Sequence, residues 1–378
     1  MKNIKVLHVM ETIGSGGVER RRLSLAKLLN KDVIEQKIIC QHEVGNIGNE
    51  IRQEGVEVIC LNHSLKNIFD RKQHGKIQRI IKDFQPDIIH GAVFEGVTMA
   101  AINGWLTKVP VIIIEETSDP QNRSWKGDLL MKFFATLSDK VIGVSEGVSE
   151  EYLKGKLGIS SKKVVSINNG VRMPREVSLQ EILAEQQKWG IHENDFVFGT
   201  MGRFKNDHHK RFSDLIKAFA RFSENKHNVK LLMVGGTEEY QAQYRKLAKD
   251  LNVSDKVIFA GYQSDVTLYY KMMNVFALVS AYEAFGLVLA EAMLNKLPVL
   301  ATRVGGMKYV VNDSETGYLV ERYNVEEIAK KMQTFYTNKD ICIKMGEAGY
   351  QKAMQNYTEE MYAKNIGSLY HELVSNKK

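Results

Sequence analysis

Apolar and polar positions along the chain fall into two successive series of short β-type runs and helical patterns. In the first series, runs rich in Val and Ile occur at Ile4–Met10, Gln36–Cys40, Glu57–Leu61, Asp87–Gly91, Val111–Ile114, Lys140–Val144 and Val164–Ile167, bounded by Gly, Pro and Asn. Stretches with helical spacing lie between them, among them Val18–Leu29 and Gly75–Phe84. This alternation predicts βαβ units on a parallel sheet, because parallel neighbours need a long crossover and a helix supplies it. The strand signal then pauses. Pro174 to His192 is polar, with a helical pattern over Leu179–Trp189. A second series follows, with strands at Phe196–Thr200, Lys230–Gly235, Lys256–Ala260, Val275–Leu278, Pro298–Ala301 and Gly317–Leu319. Its helices include Phe212–Phe222, Glu239–Leu251 and Leu287–Asn295. The expected fold class is α/β, with two doubly wound domains facing each other across a cleft. The expected divisions are a first domain over 1–172, a linker over 173–193 and a second domain over 194–356. A C-terminal helix over 357–378 is expected to cross back to the first domain. Ligands of open α/β sheets sit at the carboxyl ends of strands, so the loops after strands are where chemistry is sought.

Composition narrows the class. Of 378 residues, 44% are hydrophobic and 26% charged, which excludes disordered and collagen-like chains. Cys40, Cys60 and Cys342 are an odd number at wide spacing, which suits neither a disulfide framework nor a zinc site and points to a reducing compartment. The first strand begins almost at once, so no signal peptide is expected. The longest apolar stretch, Val275 to Thr302, is broken by Glu283, Glu291 and Lys296, and does not make a spanning helix. The expected location is cytoplasmic, with peripheral attachment to the inner face of the cell membrane as an option. The net charge of +7 is mild for this length, and no basic run of the kind that binds nucleic acid occurs. Arg20-Arg21-Arg22 and Lys66 to Lys82 are locally basic. They read either as solvated helix faces or as a surface for anionic lipid or substrate.

Four strand-end loops carry candidate chemistry. Gly14-Ser15-Gly16-Gly17-Val18-Glu19 follows the first strand and opens a helix, where glycine lets backbone N–H groups approach an anion. It is not a dinucleotide fingerprint, since Glu19 stands where the last glycine would be, and no Walker lysine follows. Gly202-Arg203-Phe204 and Lys210-Arg211 follow the first strand of the second half, offering a planar fork and a point charge for a diphosphate. The adjacent His208 and His209 lack a third ligand at a convincing spacing, and the chain has no D-x-D. The third loop is the most specific. Ser280 to Met293 follows an apolar strand and opens an apolar helix carrying Glu283 and Glu291, eight residues apart on related faces. A carboxylate in such a helix is costly unless it accepts hydrogen bonds, and sugar hydroxyl groups are suitable donors. Thr302-Arg303-Val304-Gly305-Gly306 adds a further glycine-rich strand end.

Arg203 and Lys210, the E-x7-E of Glu283 and Glu291, Gly305-Gly306 and Thr316-Gly317 together resemble the family 4 retaining glycosyltransferases (glycosyl transferases group 1). Gly16-Gly17-Val18-Glu19, Val144-Ser145 and Asn169-Gly170-Val171 resemble the N-terminal half of that family, so the likeness runs from residue 3 to about 355. The resemblance implies the GT-B fold, two Rossmann-like domains with the acceptor on the first and a nucleotide-sugar donor on the second. It implies that Arg203 and Lys210 hold the diphosphate, Glu283 touches the transferred sugar and Glu291 the ribose. It places the backbone amides of Phe285, Gly286 and Leu287 near the phosphate and sugar, with Gly16 and Gly17 close to the diphosphate. No cofactor or catalytic metal is implied, and the acceptor is a glycan or lipid-linked glycan in cell-surface polysaccharide or glycoconjugate synthesis.

Departures from the family pattern are Ala92 in place of a histidine, a longer Arg203–Lys210 loop, Arg211 in place of glycine, and Tyr309 in place of an acid. They leave open whether Lys210, Arg211 or Lys205 meets the diphosphate, and whether His90 takes any part. Base recognition is expected near Gly261–Asp265. Two rivals share the fold, a nucleotide-sugar 2-epimerase and a non-catalytic nucleotide-sugar binder.

Overall fold

The computed structural model describes residues 3–14, 16–65, 67–68, 70–118, 123–205 and 207–377. Ser15 and Lys66, both part of motifs named above, lie outside the described residues. Among the described residues, thirteen strands form two parallel sheets. The first holds β1 (Ile4–Ile13), β2 (Ile34–Glu43), β3 (Glu57–Cys60), β4 (Ile88–Ala92), β5 (Val111–Glu116), β6 (Lys140–Gly143) and β7 (Val164–Ser166), in the order β3-β2-β1-β4-β5-β6-β7. The second holds β8 (Phe196–Met201), β9 (Val229–Val234), β10 (Val257–Gly261), β11 (Val275–Leu278), β12 (Val299–Thr302) and β13 (Gly317–Val320), in the order β10-β9-β8-β11-β12-β13. Strands covered on both faces by helices read as nearly unbroken apolar runs, and β5, β8 and β11 are buried throughout. The order of strands reverses between β1 and β4 in one sheet and between β8 and β11 in the other. Such switch points open a crevice at the carboxyl ends.

β1 and β2 run three residues past the expected Met10 and Cys40, pairing Thr12 with His42 and Ile13 with Glu43. The extension mixes Glu11, Thr12, His42 and Glu43 with buried Ile13 and Gln41, so the unbroken apolar run ends before the ladder does.

The chain divides into two compact units, Met1–Gly170 with Thr358–Lys378, and Val171–Tyr357. The stretch 173–193, expected as a linker, belongs to the second unit. Its helix Leu179–Lys188 opens with a reciprocal cap, in which Ser178 Oγ accepts from the Glu181 N–H and the Glu181 carboxylate accepts from the Ser178 N–H. Ile182 and Trp189 pack on that unit's core, and the Glu185 carboxylate accepts from Tyr269 Oη at 2.8 Å. In the first unit, the Glu359–Ser375 helix lays Tyr362, Ile366, Leu369 and Tyr370 against Ile4, Val6 and Ile113 of the sheet.

Under that helix lies a buried ionic network. Glu115 on β5 accepts from Arg21 at 2.8 Å and from Arg22 at 2.7 Å, and Arg22 also donates to Tyr362 Oη at 3.1 Å. Arg21 donates to Asn169 as well, and Ser24 Oγ to Glu359 at 2.6 Å. This corrects one expectation: of Arg20-Arg21-Arg22 only Arg20 is exposed, because the two guanidinium groups neutralise a carboxylate at the end of an apolar strand. Buried charges persist only when paired and hydrogen-bonded.

Candidate functional site

In the second unit the loops after β8, β11 and β12 meet at the switch point. The loop after β8 turns where Gly202 and Gly235 touch. A methyl group on Gly235, at φ +114°, would fall 2.1 Å from the Gly202 carbonyl oxygen. Arg203 and Lys205 are exposed. Lys210, at the end of a single helical turn Asp207–Lys210, extends to the Glu283 carboxylate and forms an ion pair with it. Arg211 turns elsewhere. Its guanidinium makes a two-pronged contact with Asp214, at 2.7 and 2.9 Å, and lies over the Tyr323 ring. Of the cations near residue 210, Lys210 therefore faces the glutamate loop and Arg211 is held by its own acid. The loops are tied through their backbones, by Ala281 N–H to His209 C=O at 2.7 Å and Gly306 N–H to Glu283 C=O at 2.9 Å.

The helix Leu287–Leu294 begins at Gly286, whose φ of +90° is left-handed and favours glycine. Its first N–H groups have no intrahelical acceptor, and its N-terminus favours an anion. Phe285 offers only its backbone, since its ring is buried edge-on against Tyr357. One turn further on, half-buried Glu291 accepts from Tyr270 Oη at 2.8 Å. Burial, then the Glu291 carboxylate, pushes the Tyr270 hydroxyl well above the usual phenol range, so it stays a donor. Sequence spacing located Glu291 but not Tyr270, which lies on a separate helix, Thr267–Lys271. The Gly261–Asp265 loop follows edge strand β10, with Tyr262 exposed and Asp265 paired with Arg175 at 2.6 Å.

In the first unit the loops after β1 and β4 meet. Gly16 and Gly17 open the Gly17–Leu28 helix, and Glu19 folds back over them. A methyl group on Gly16 would fall 2.3 Å from Glu19 Oε2. Glu11 lies two residues before the end of β1, and partial burial together with the Glu95 and Glu19 carboxylates pushes its carboxyl up. Val93, which follows Ala92, has φ +64°, an outlier for a β-branched residue. Glu11 and Glu95 were missed in the sequence. The available signal was, for Glu11, a polar residue directly after the apolar Ile4–Met10 run and, for Glu95, an acid in the first turn of the helix that follows β4. His90 is not at this crevice. It is fully buried, with Nδ1 2.7 Å from Tyr370 Oη and Nε2 3.4 Å from Glu115. Burial, and then the Arg22 charge, holds it down to about 4, hence neutral.

Solved structures of similar architecture exist. A glycosyltransferase from Rickettsia africae ESF-5 superposes with a TM-score of 0.86 over 100% of both chains at 23% identity. Anabaena HepE, solved in complex with UDP, gives 0.85 over 98% of this chain and 100% of that one at 20% identity. The fold is therefore GT-B. A model of glycosyl transferases group 1 matches residues 181–352, and a model of glycosyltransferase family 4 matches residues 15–175. Capsular polysaccharide biosynthesis glycosyltransferase CapM of Staphylococcus aureus is 24% identical over 383 residues, covering 98% of each chain. The chain belongs to the group 1, family 4 glycosyltransferases, and it is an enzyme of that kind.

Proposed function

We propose that the protein transfers a sugar, a hexose or N-acetylhexosamine, from a nucleotide-sugar donor to a glycan or lipid-linked glycan in polysaccharide or glycoconjugate synthesis, with retention at the anomeric carbon. The observation that carries this reading is the Lys210–Glu283 ion pair at the β8–β11 switch point, beside exposed Arg203 and the N-terminus of the Leu287–Leu294 helix. Lys210 and Arg203 neutralise the donor diphosphate, while the amides of Phe285, Gly286 and Leu287 face its oxygens. When the diphosphate takes Lys210, Glu283 is released to the sugar, whose ring gains positive character as the bond breaks. Glu291, oriented by Tyr270, accepts from the ribose. The bond from C1 to the phosphate oxygen breaks, the acceptor oxygen bonds to C1 on the same face, and the departing oxygen takes the acceptor proton. The acidic crevice of the first unit, with Glu11, Glu19 and Glu95, suits acceptor hydroxyl donors better than a second anion. Glu19 covers Gly16, so an anion meets the amides of Gly16 and Gly17 only if Glu19 swings away.

UDP in the HepE structure and the polysaccharide role named for CapM support this assignment. CapM and the Rickettsia protein are named glycosyltransferases, which favours transfer over epimerisation. The test is a thermal-shift panel of nucleotide sugars, followed by transfer to glycan acceptors with excess EDTA present. One nucleotide sugar at about 100 times its dissociation constant should add about 2.7 kcal/mol to stability, and transfer should survive EDTA. A donor epimerised without acceptor, or no stabilisation by any nucleotide sugar, overturns the reading.

A further inference from the structure

We infer that the outward face of the Trp125–Leu137 helix is a docking surface for an anionic lipid membrane. The helix belongs to the first unit, and its inner side buries Met131, Phe134 and Ala135. Its outer side is apolar as well. Trp125, Leu129 and Phe133 are 71%, 60% and 49% exposed, and recur every four residues, so they form one stripe. At 3.6 residues per turn the stripe spans about 80° of the helix, and Lys126 and Lys132 lie about 20° beyond its two edges. Both lysines are exposed. A water-facing helix side normally carries polar residues in the middle, not three large apolar ones.

The acid of this helix does not oppose lipid. Asp128 is turned aside, accepting from Tyr152 Oη at 2.8 Å and pairing with Lys156 at 2.7 Å. An apolar stripe with an aromatic end and lysines on both flanks matches a bilayer interface, where Trp sits at headgroup depth and lysines meet lipid phosphates. A second copy of the chain fits less well. A two-fold axis would set this face against itself, bringing lysines to lysines with no carboxylate on the face to answer them.

The two basic stretches first considered for this role are not equivalent. Arg21 and Arg22 are buried. The Arg71–Phe84 helix buries Ile77, Ile81 and Phe84 and exposes Arg71, Lys72, Arg79, Lys82 and Asp83, an ordinary solvated side. Among the described residues no helix is long and apolar enough to cross a membrane, so contact of this kind is peripheral.

The inference rests on the reading that the acceptor is lipid-linked, and the experiment keeps the two apart. The full chain is sedimented with phosphatidylcholine vesicles that contain or lack phosphatidylglycerol, and its tryptophan emission is recorded. The wild type should co-sediment with anionic vesicles and shift its emission to the blue. The variant Trp125→Ser/Leu129→Ser/Phe133→Ser should lose at least roughly ten-fold in partitioning, since the apolar stripe drives insertion. Lys126→Gln/Lys132→Gln should lose only the preference for anionic vesicles. Both variants alter exposed side chains, so their melting temperatures and nucleotide-sugar binding without vesicles should match the wild type. Equal partitioning of wild type and triple-serine variant overturns the inference. So does a wild type that binds no vesicle, or a triple variant that only converts a dimer to a monomer. Donor binding that persists through any of these leaves the transferase reading standing. Vesicle binding without donor binding sinks that reading and spares this one.

Discussion

The two units share a topology and place charge in opposite ways. The first unit keeps ions in its core, with Arg22 and Glu115 side chains at 0% and 1% exposure, and gathers carboxylates at its switch point. The second unit has an apolar core, with Phe198, Phe219, Phe276 and Leu300 at 0% exposure, and sets cations at its switch point. Its described ion pairs all keep at least one partner partly exposed, as Lys210 and Arg211 do. Strand order therefore fixes where loops converge, and the loop residues decide what converges there. A doubly wound sheet is neutral on the question of ligand charge.

The sharpest way to break this contrast is at Glu115. Replacing it with Gln leaves two guanidinium groups buried without their counter-charge, a loss of about 3–5 kcal/mol. Glu115→Gln should therefore melt the first unit early in calorimetry while nucleotide-sugar binding by the second unit, measured well below that transition, holds. A single unchanged transition would mean that the network adds little.

Next come the two glutamates of the second unit. A charge-assisted hydrogen bond is worth about 1.5–3 kcal/mol, or roughly 10- to 150-fold. Glu283→Gln should spend that loss on kcat, because its partner gains charge only at the transition state. Glu291→Gln should raise the donor KM, because a ribose contact is alike in ground and transition states. Steady-state kinetics with folding checked by circular dichroism decide this. Near-wild-type constants for both would make the two acids structural.

A subtler separation uses pH. Burial, and then Arg22, holds His8 well below its ordinary value, and the same causes bring His90 from 6.5 to about 4. A depressed folded value means that the folded form binds fewer protons than the unfolded one. The stability so contributed is complete above about pH 6.5 and is lost as pH falls toward 4. Burial opposes the charge on Glu115, but Arg21 and Arg22 hold its carboxyl well below the usual range, so it adds a loss of the same sign at lower pH. Melting followed from pH 7 to pH 4 should show the first unit weakening ahead of the second. The smallest effect is expected for Tyr270→Phe, which removes one hydrogen bond to Glu291. At about 0.5–1.5 kcal/mol it should raise donor KM roughly two- to twelve-fold with kcat unchanged.

The fold was legible because each strand is a Val- and Ile-rich run between breakers, and every run named from the sequence overlaps a strand. The E-x7-E spacing was legible because it lies within one loop and helix. What escaped depends on contacts between distant positions. Arg21 and Arg22 read as surface because charge usually is, and their partner lies 94 and 93 residues away at the end of β5. The Glu115 that closes Val-Ile-Ile-Ile was the available hint. The pairing of Lys210 with Glu283 spans 73 residues and has no local signature. The outward stripe of Trp125, Leu129 and Phe133 has no mark in the apolar pattern, because both sides of that helix are apolar and the pattern does not tell the buried side from the exposed one.

The return of the chain to the first unit at Thr358 has a consequence for synthesis. The chain leaves that unit at Gly170 and lays down all of Val171–Tyr357 before supplying the last helix. On the ribosome, Glu115 and its two arginines must wait for Tyr362 and Tyr370, although their own strand and helix emerged long before. The second unit is contiguous and can close as it emerges, whereas the first stays open on one flank until the Glu359–Ser375 helix has emerged. The order of folding is then the reverse of the order of emergence, and a nascent first unit would present its uncovered flank to chaperones for the whole time the second is made.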